Sequence, residues 1–157
     1  MPVTFDYAIL NKVLFIRAPL RFCAPEAGNL LEELLVLMEQ HGLAQVDCEL
    51  SACNYLDSTV LGQMVALHRR LGPGNLTLTK PSPESRQILL IMGLDKLLNI
   101  SEEPLPESLV FQTLTPQRNN SAQDILNAHT LLSQISPENA KRFETLIKTL
   151  EQSIHRE

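Results

Sequence analysis

Three consecutive residues, Asp57, Ser58 and Thr59, carry the chemistry that this chain can offer. A hydroxyl can accept a phosphoryl group, and a carboxylate or hydroxyl oxygen can accept hydrogen bonds from unpaired backbone N–H groups. The flanking pattern says where these residues stand. Val46 to Leu50 alternates apolar and polar residues as a strand does, and Val60, Leu61, Met64, Val65, His68 and Leu71 recur at helical spacing. Ser58 therefore falls on the first turn of a helix, beside a carboxylate. The free N–H groups at a helix start favour negative charge, and a phosphate on Ser58 would bring roughly −1.5 to −2 charges there. The same residues also read simply as a helix cap, because Asp and Ser are ordinary N-cap residues.

Other chemistries lack their residues. No G-x-S-x-G elbow surrounds Ser58, and no histidine is close to it in sequence. Pairing in space with His41 or His68 stays open, although both read as helix residues. The four histidines show no H-x-x-x-H spacing for a metal. Gly72-Pro73-Gly74 lacks the Lys-Ser/Thr of a phosphate-binding loop, and Pro73 removes an N–H donor. Glu32-Glu33 and Glu102-Glu103 read as solvated. Cys23, Cys48 and Cys53 have no C-x-x-C spacing; Cys48 reads as a small apolar strand residue, and nothing near Cys53 marks a low-pKa thiol. The expectation is a chain that is not an enzyme and needs no cofactor and no metal of its own.

The elements that must position Asp57-Ser58-Thr59 follow from periodicity and punctuation. Residues 5–10 and 13–16 read as strands joined at Asn11-Lys12, and Ala18-Pro19-Leu20 ends the second. Pro25 suits the first turn of a helix, with Gly28 near its start. Leu30, Leu31, Leu34, Leu35, Leu37 and Met38 form its apolar stripe, and Gly42 caps it. A strand at 45–50 and a helix at 58–71 follow, then a turn at Gly72-Pro73-Gly74-Asn75. Next come a strand at 76–79, a helix from Pro81-Ser82-Pro83 to Gly93, an extended piece at 97–100, a proline-bearing loop at 102–108 and a strand at 109–114. Alternating strands and helices imply an α/β fold with a partly parallel sheet.

This arrangement resembles the STAS domain family of the anti-sigma factor antagonist (anti-anti-sigma factor) type. That family has a strand, a short loop and Asp-Ser-Ser/Thr-Gly-Leu-Gly opening a helix. Here the segment reads Leu50 to Gly62, with Asp57-Ser58-Thr59-Val60-Leu61-Gly62 at the helix start. Leu76 to Thr79, Lys80 to Glu84 and Ile88 to Asp95 resemble the strand, helix and "GL" turn that follow. The likeness runs over about residues 4–113. Two departures stand out: Val60 replaces the usual glycine and stiffens the junction, and Arg21 replaces an acid near the hydroxyl.

The resemblance implies a mixed β-sheet with helices packed mainly on one face. It further implies a phosphorylation-controlled protein-binding switch. Ser58 would be the phosphoacceptor, with Thr59 as the alternative, and Asp57, Ser58, Thr59, Leu61 and Arg21 would form the partner-binding surface. The partners would be a serine-kinase anti-sigma factor or a related switch kinase and a PP2C-like phosphatase, which would bring the ATP and metal. The other reading is a STAS-type ligand-sensing or scaffold module that phosphorylation does not switch.

Composition agrees with a protein-binding role. Apolar residues make up 44% of the chain, aromatics 4%, and the net charge is −5, with no Lys/Arg cluster larger than the Arg69-Arg70 pair. Neither a nucleic-acid surface nor a stacking platform is expected. No apolar run approaches the ~20 residues of a membrane span, and Met1 to Asp6 does not read as a signal peptide. A reducing cytoplasm is the expected compartment.

Residues 1–114 are read as the STAS domain and 115–157 as a C-terminal helical extension. Ser121 and Asp124 have capping-box spacing, and Ser136-Pro137 restarts a helix. Ile125, Ala128, His129, Leu132 and Ile135 share one face, and Phe143, Leu146, Ile147, Leu150 and Ile154 another. The pair should form a hairpin or a bent helix. Its stripes either dock on the domain or form a homodimer or partner interface, and the reading leans to the interface.

Overall fold

A computed structural model describes residues 4–24 and 27–156. Strands β1 (Phe5–Leu10) and β2 (Val13–Arg17) form an antiparallel hairpin. Asn11 and Lys12 turn it with φ of 51° and 64°, the left-handed geometry of a two-residue hairpin loop. Beyond β2 the chain makes the short β3 (Arg21–Phe22), then α1 (Leu30–His41), β4 (Gln45–Glu49), the short β5 (Tyr55–Leu56) and α2 (Ser58–Leu71). It continues through β6 (Leu76–Thr79), α3 (Pro83–Ile91), β7 (Asn99–Ser101) and β8 (Gln112–Leu114) to α4 (Ala122–Ser133) and α5 (Pro137–His155).

The main sheet has six strands in the order β7-β6-β4-β2-β1-β8. Its β7, β6, β4 and β2 are parallel, β1 adds antiparallel to β2, and β8 pairs antiparallel with β1 at the edge. This is the mixed sheet expected. Val46 and Cys48 of β4 sit beside Leu76 and Leu78 of β6 in register, all four buried. They join Leu14 and Ile16 of β2 and Leu30, Leu34 and Met38 of α1 in one core.

Several local expectations meet different outcomes. Gly42 closes α1 in the left-handed conformation, as its position predicts. The helix start differs: Asn29 is the N-cap, its side chain accepting from Glu32 N, and Gly28 lies outside with φ +65°. Pro25 lies outside the described residues. The last strand covers only 112–114, and Phe111 just before it lies beneath the Arg17 guanidinium, 3.8 Å from the ring centroid. The pairing of β3 with β5 is new, since two-residue strands are too short to show a period.

The largest correction concerns the tail. Its helices form a hairpin, and α4 lies along α2. Ala128 and Leu132 of α4 and Phe143 of α5 are buried, and Leu132 and Phe143 are part of the domain's own core. These stripe residues are thus spent on internal docking rather than on an interface with a second copy. Toward the far end of α5, Leu146 remains 40% exposed. The hairpin is also pinned by polar contacts. Asn139, fully buried, donates to the carbonyls of Met92 and Leu132 at 2.9 and 3.0 Å.

Glu33 needs correcting as well. It is 3% exposed rather than solvated. Its carboxylate accepts from Gln117 N and Arg118 N, both at 2.7 Å, and from the Arg118 guanidinium at 3.2 Å. A buried carboxylate persists because both of its oxygens find donors, one of them charged. The same strap approaches Gly28 so closely that a Cβ there would lie 2.5 Å from the Arg118 carbonyl oxygen.

Candidate functional site

The site is built where the short β3–β5 sheet delivers the chain to α2. Arg21 pairs in register with Tyr55, and Phe22 with Leu56. Asp57 follows in extended conformation as the N-cap, and its Oδ1 accepts from Val60 N at 2.9 Å. With the carboxylate serving as cap, Ser58 is the first helical residue and its hydroxyl is left for other partners. It is half-buried and contacts one specific group: Ser58 Oγ lies 2.7 Å from Nε2 of His129 on α4.

That histidine is only 2% exposed. Its Nδ1 lies 2.7 Å from the Ile125 carbonyl oxygen one turn earlier, and its ring packs edge-on against Phe143 with centroids 5.1 Å apart. The helices meet closely enough here to require glycine. A Cβ on Gly62 would lie 2.3 Å from the Ala128 carbonyl oxygen. Gln63 adds a bond to Asn120 Oδ1 at 2.7 Å.

The expected surface residues separate by burial. Asp57 and Ser58 are half-buried, and Arg21 is exposed, its guanidinium 4.7 Å from the Tyr55 ring centroid. Thr59 is 7% exposed, and Leu61 and Val60 are fully buried. Leu61 therefore belongs to the core and makes no surface for a partner to touch. The reason is the helical period: the face that carries Val60, Leu61, Met64 and Val65 turns toward the sheet.

The histidine that meets Ser58 is neither of the two considered from sequence. His68 stands in the last turn of α2, about 15 Å along the helix from Ser58. His41 stands in the last turn of α1. His129 was legible only as one member of an apolar stripe. A histidine among Ile125, Ala128 and Leu132 was the available signal, since a buried imidazole needs a polar partner.

The thiols around the site are quiet. Burial pushes the Cys48 thiol well above its ordinary range, and neighbouring Cys53, Asp47 and Glu49 add to this. Burial likewise raises Cys53, against hydrogen bonds that favour its thiolate.

With fold and site in view, comparisons with known proteins define the class. The family model described as "Mlab, STAS domain" matches residues 21–99, half of the chain, and the chain belongs to the STAS domain family. Two solved structures of the protein TM1081 share the fold. The NMR structure is 20% identical with a TM-score of 0.54, covering 60% of this chain and 77% of that one. The crystal structure, from Thermotoga maritima, describes a candidate anti-sigma factor antagonist. It is 18% identical with a TM-score of 0.55, covering 63% of this chain and 86% of that one. At such identities the likeness is one of fold. A search of curated proteins gives no match. Among the described residues, no helix is long and apolar enough to cross a membrane.

Proposed function

We propose that this chain is a cytoplasmic, non-enzymatic partner-switching protein whose control point is Ser58. The unmodified surface around Asp57, Ser58 and Arg21 binds a serine-kinase anti-sigma factor or a related switch kinase and frees what that partner holds. Phosphorylation at Ser58 ends the binding, and a PP2C-like phosphatase restores it. The observation that carries this reading is the placement of Ser58. It is the first residue of α2, its helix is capped by Asp57, and the residue is only partly buried. The STAS membership and the anti-sigma antagonist description of a structural neighbour support it. A dianion at the centre of a surface shaped for a neutral hydroxyl weakens association through repulsion and desolvation. Thr59 becomes a poor alternative acceptor because it is buried. The domain boundary near residue 114 belongs to the same proposal, with 115–157 as a docked extension.

The test is a titration of the cognate kinase against the native chain, Ser58→Ala and Ser58→Asp, with mass mapping after incubation with ATP. Ser58→Ala should bind like the native chain and take no phosphate at position 58. Ser58→Asp should bind about tenfold more weakly, the carboxylate carrying less charge than phosphate. Equal affinities would support the second reading, a scaffold module without a phosphate switch. One observation favours that reading: the Ser58 hydroxyl is already engaged by a buried side chain.

A further inference from the structure

The hydrogen-bond directions of the Ser58–His129 pair follow from its outer partner. The Ile125 carbonyl can only accept, so His129 Nδ1 carries a proton and donates to it. In the neutral ring Nε2 is then an acceptor, and the Ser58 hydroxyl donates to it across 2.7 Å. The ring cannot swing away without losing its packing on Phe143, and α4 cannot slide without disturbing the Gly62–Ala128 approach. Ser58 is only partly buried, and a group added to Oγ stays next to Nε2, which lies 2.7 Å from that oxygen.

We infer that His129 is the residue through which the C-terminal helices read the state of Ser58: it accepts from the hydroxyl and, once Ser58 is phosphorylated, becomes an imidazolium that donates to the phosphate. The inference rests on the proposed role of Ser58 as phosphoacceptor. In that modification Oγ forms a bond to the terminal phosphorus of a nucleoside triphosphate held by the kinase. The bond from that phosphorus to its bridging oxygen breaks, and the nucleoside diphosphate leaves with the electron pair. Oγ gives up one proton and Nε2 gains one. A hydroxyl needs an acceptor opposite it, whereas a phosphate dianion offers acceptors only and needs a donor. Histidine supplies both from one position by changing protonation. Its Nδ1–H keeps the Ile125 carbonyl in either state, so the imidazolium has both protons bonded. The α2 N-terminus adds attraction for the dianion, the Asp57 carboxylate opposes it, and Arg21 is the nearby exposed cation. Phosphorylation then holds α4 in place rather than shedding it, and the face that a partner meets becomes phosphate plus tail.

The test needs no kinase. Phosphoserine is installed at position 58 during translation by stop-codon suppression, so failure to find a phosphorylating partner would remove the proposed function and leave this result standing. Imidazole nitrogen NMR at pH 7 should show a proton on His129 Nε2 in the phosphoserine protein and none in the unmodified protein. Amide exchange in α4 should be no faster in the phosphoserine protein. His129→Phe, which keeps the ring packing, should speed α4 exchange about tenfold more in the phosphoserine protein than in the unmodified one. An unprotonated Nε2 opposite phosphoserine, or faster α4 exchange on phosphorylation, would overturn the inference. The imidazole spectrum requires no substitution, so it decides even if His129→Phe folds poorly.

Discussion

Among the described residues, four of the five helices begin at a serine or immediately after one, and three of those serines cap alike. Ser82, Ser121 and Ser136 stand one residue outside their helices and accept from the N–H groups of Ser85, Asp124 and Asn139 at 3.0, 3.1 and 3.1 Å. Each accepts locally, from three residues away, although Ser82 also donates to the Cys53 carbonyl. Ser58 stands one residue inside its helix, because Asp57 takes the cap. Its hydroxyl reaches instead to a histidine 71 residues distant. A carboxylate one position earlier thus leaves the serine free of the cap and available to a side chain on another element.

Substitutions can break or sharpen that contrast. The largest effect is expected for His129→Ala, which removes a buried ring from Phe143 and orphans the Ser58 hydroxyl. Destabilisation of about 3 kcal/mol should appear in denaturant unfolding, with α4 losing amide protection first. Gly62→Ala comes next, at about 2 kcal/mol, because its Cβ meets backbone rather than a movable side chain. If Gly62→Ala is silent, the α2–α4 approach is looser than described and Ser58 is not held against the tail.

The direct contrast is Ser82→Ala against Ser58→Ala. Ser82→Ala should cost about 1–2 kcal/mol, since it removes a cap and a hydrogen bond to the Cys53 carbonyl. Ser58→Ala should cost about 1 kcal/mol, and through a different route: it leaves His129 Nε2 without its donor while α2 keeps its Asp57 cap. Exchange of the first α2 amides should rise in an Asp57→Ala variant and not in Ser58→Ala. A rise in Ser58→Ala would make Ser58 a cap after all.

The smallest effect concerns a third hydroxyl, Thr79, which donates to the Asp47 carboxylate. Burial holds the Asp47 carboxyl above its ordinary range, the Thr79 bond works against this, and Glu49 reinforces it. Since the folded protein raises this pKa, the stabilising contribution is present below about pH 4 and is lost as pH rises through the folded value. Asp47→Asn should therefore raise Tm at pH 7, with the gain fading near pH 4. A constant gain across that range would mean that charge at Asp47 is not its cause.

Much of this was legible along the chain because it is local. The turn at Asn11-Lys12, the Gly42 cap, the start of α2 at Asp57-Ser58, the Ser121–Asp124 capping box and the Ser136-Pro137 restart each involve residues within four positions of one another. Composition and spacing alone specify such features. Burial of the Val60–Leu61–Met64–Val65 face was likewise written in its 3.6-residue period. The same period should have removed Leu61 from the expected contact surface; the family resemblance placed it there instead.

What only the tertiary structure decided is which faces meet. An amphipathic stripe states that a face must be buried, not against what. Hence α4 and Phe143 were as consistent with a second copy as with α2, and His129 was one more stripe residue until its ring was set against Ser58. Glu33 read as solvated because its three donors come from residues 117 and 118, which only the docked tail brings near. The β3–β5 pair is two residues long on each side, below any period. The amino-acid sequence by itself determined most turns and caps and which side of each helix is apolar, since those follow from bonds spanning a few residues. The pairing of Ser58 with His129 required the chain to close a loop of 71 residues, and no spacing rule operates over that distance.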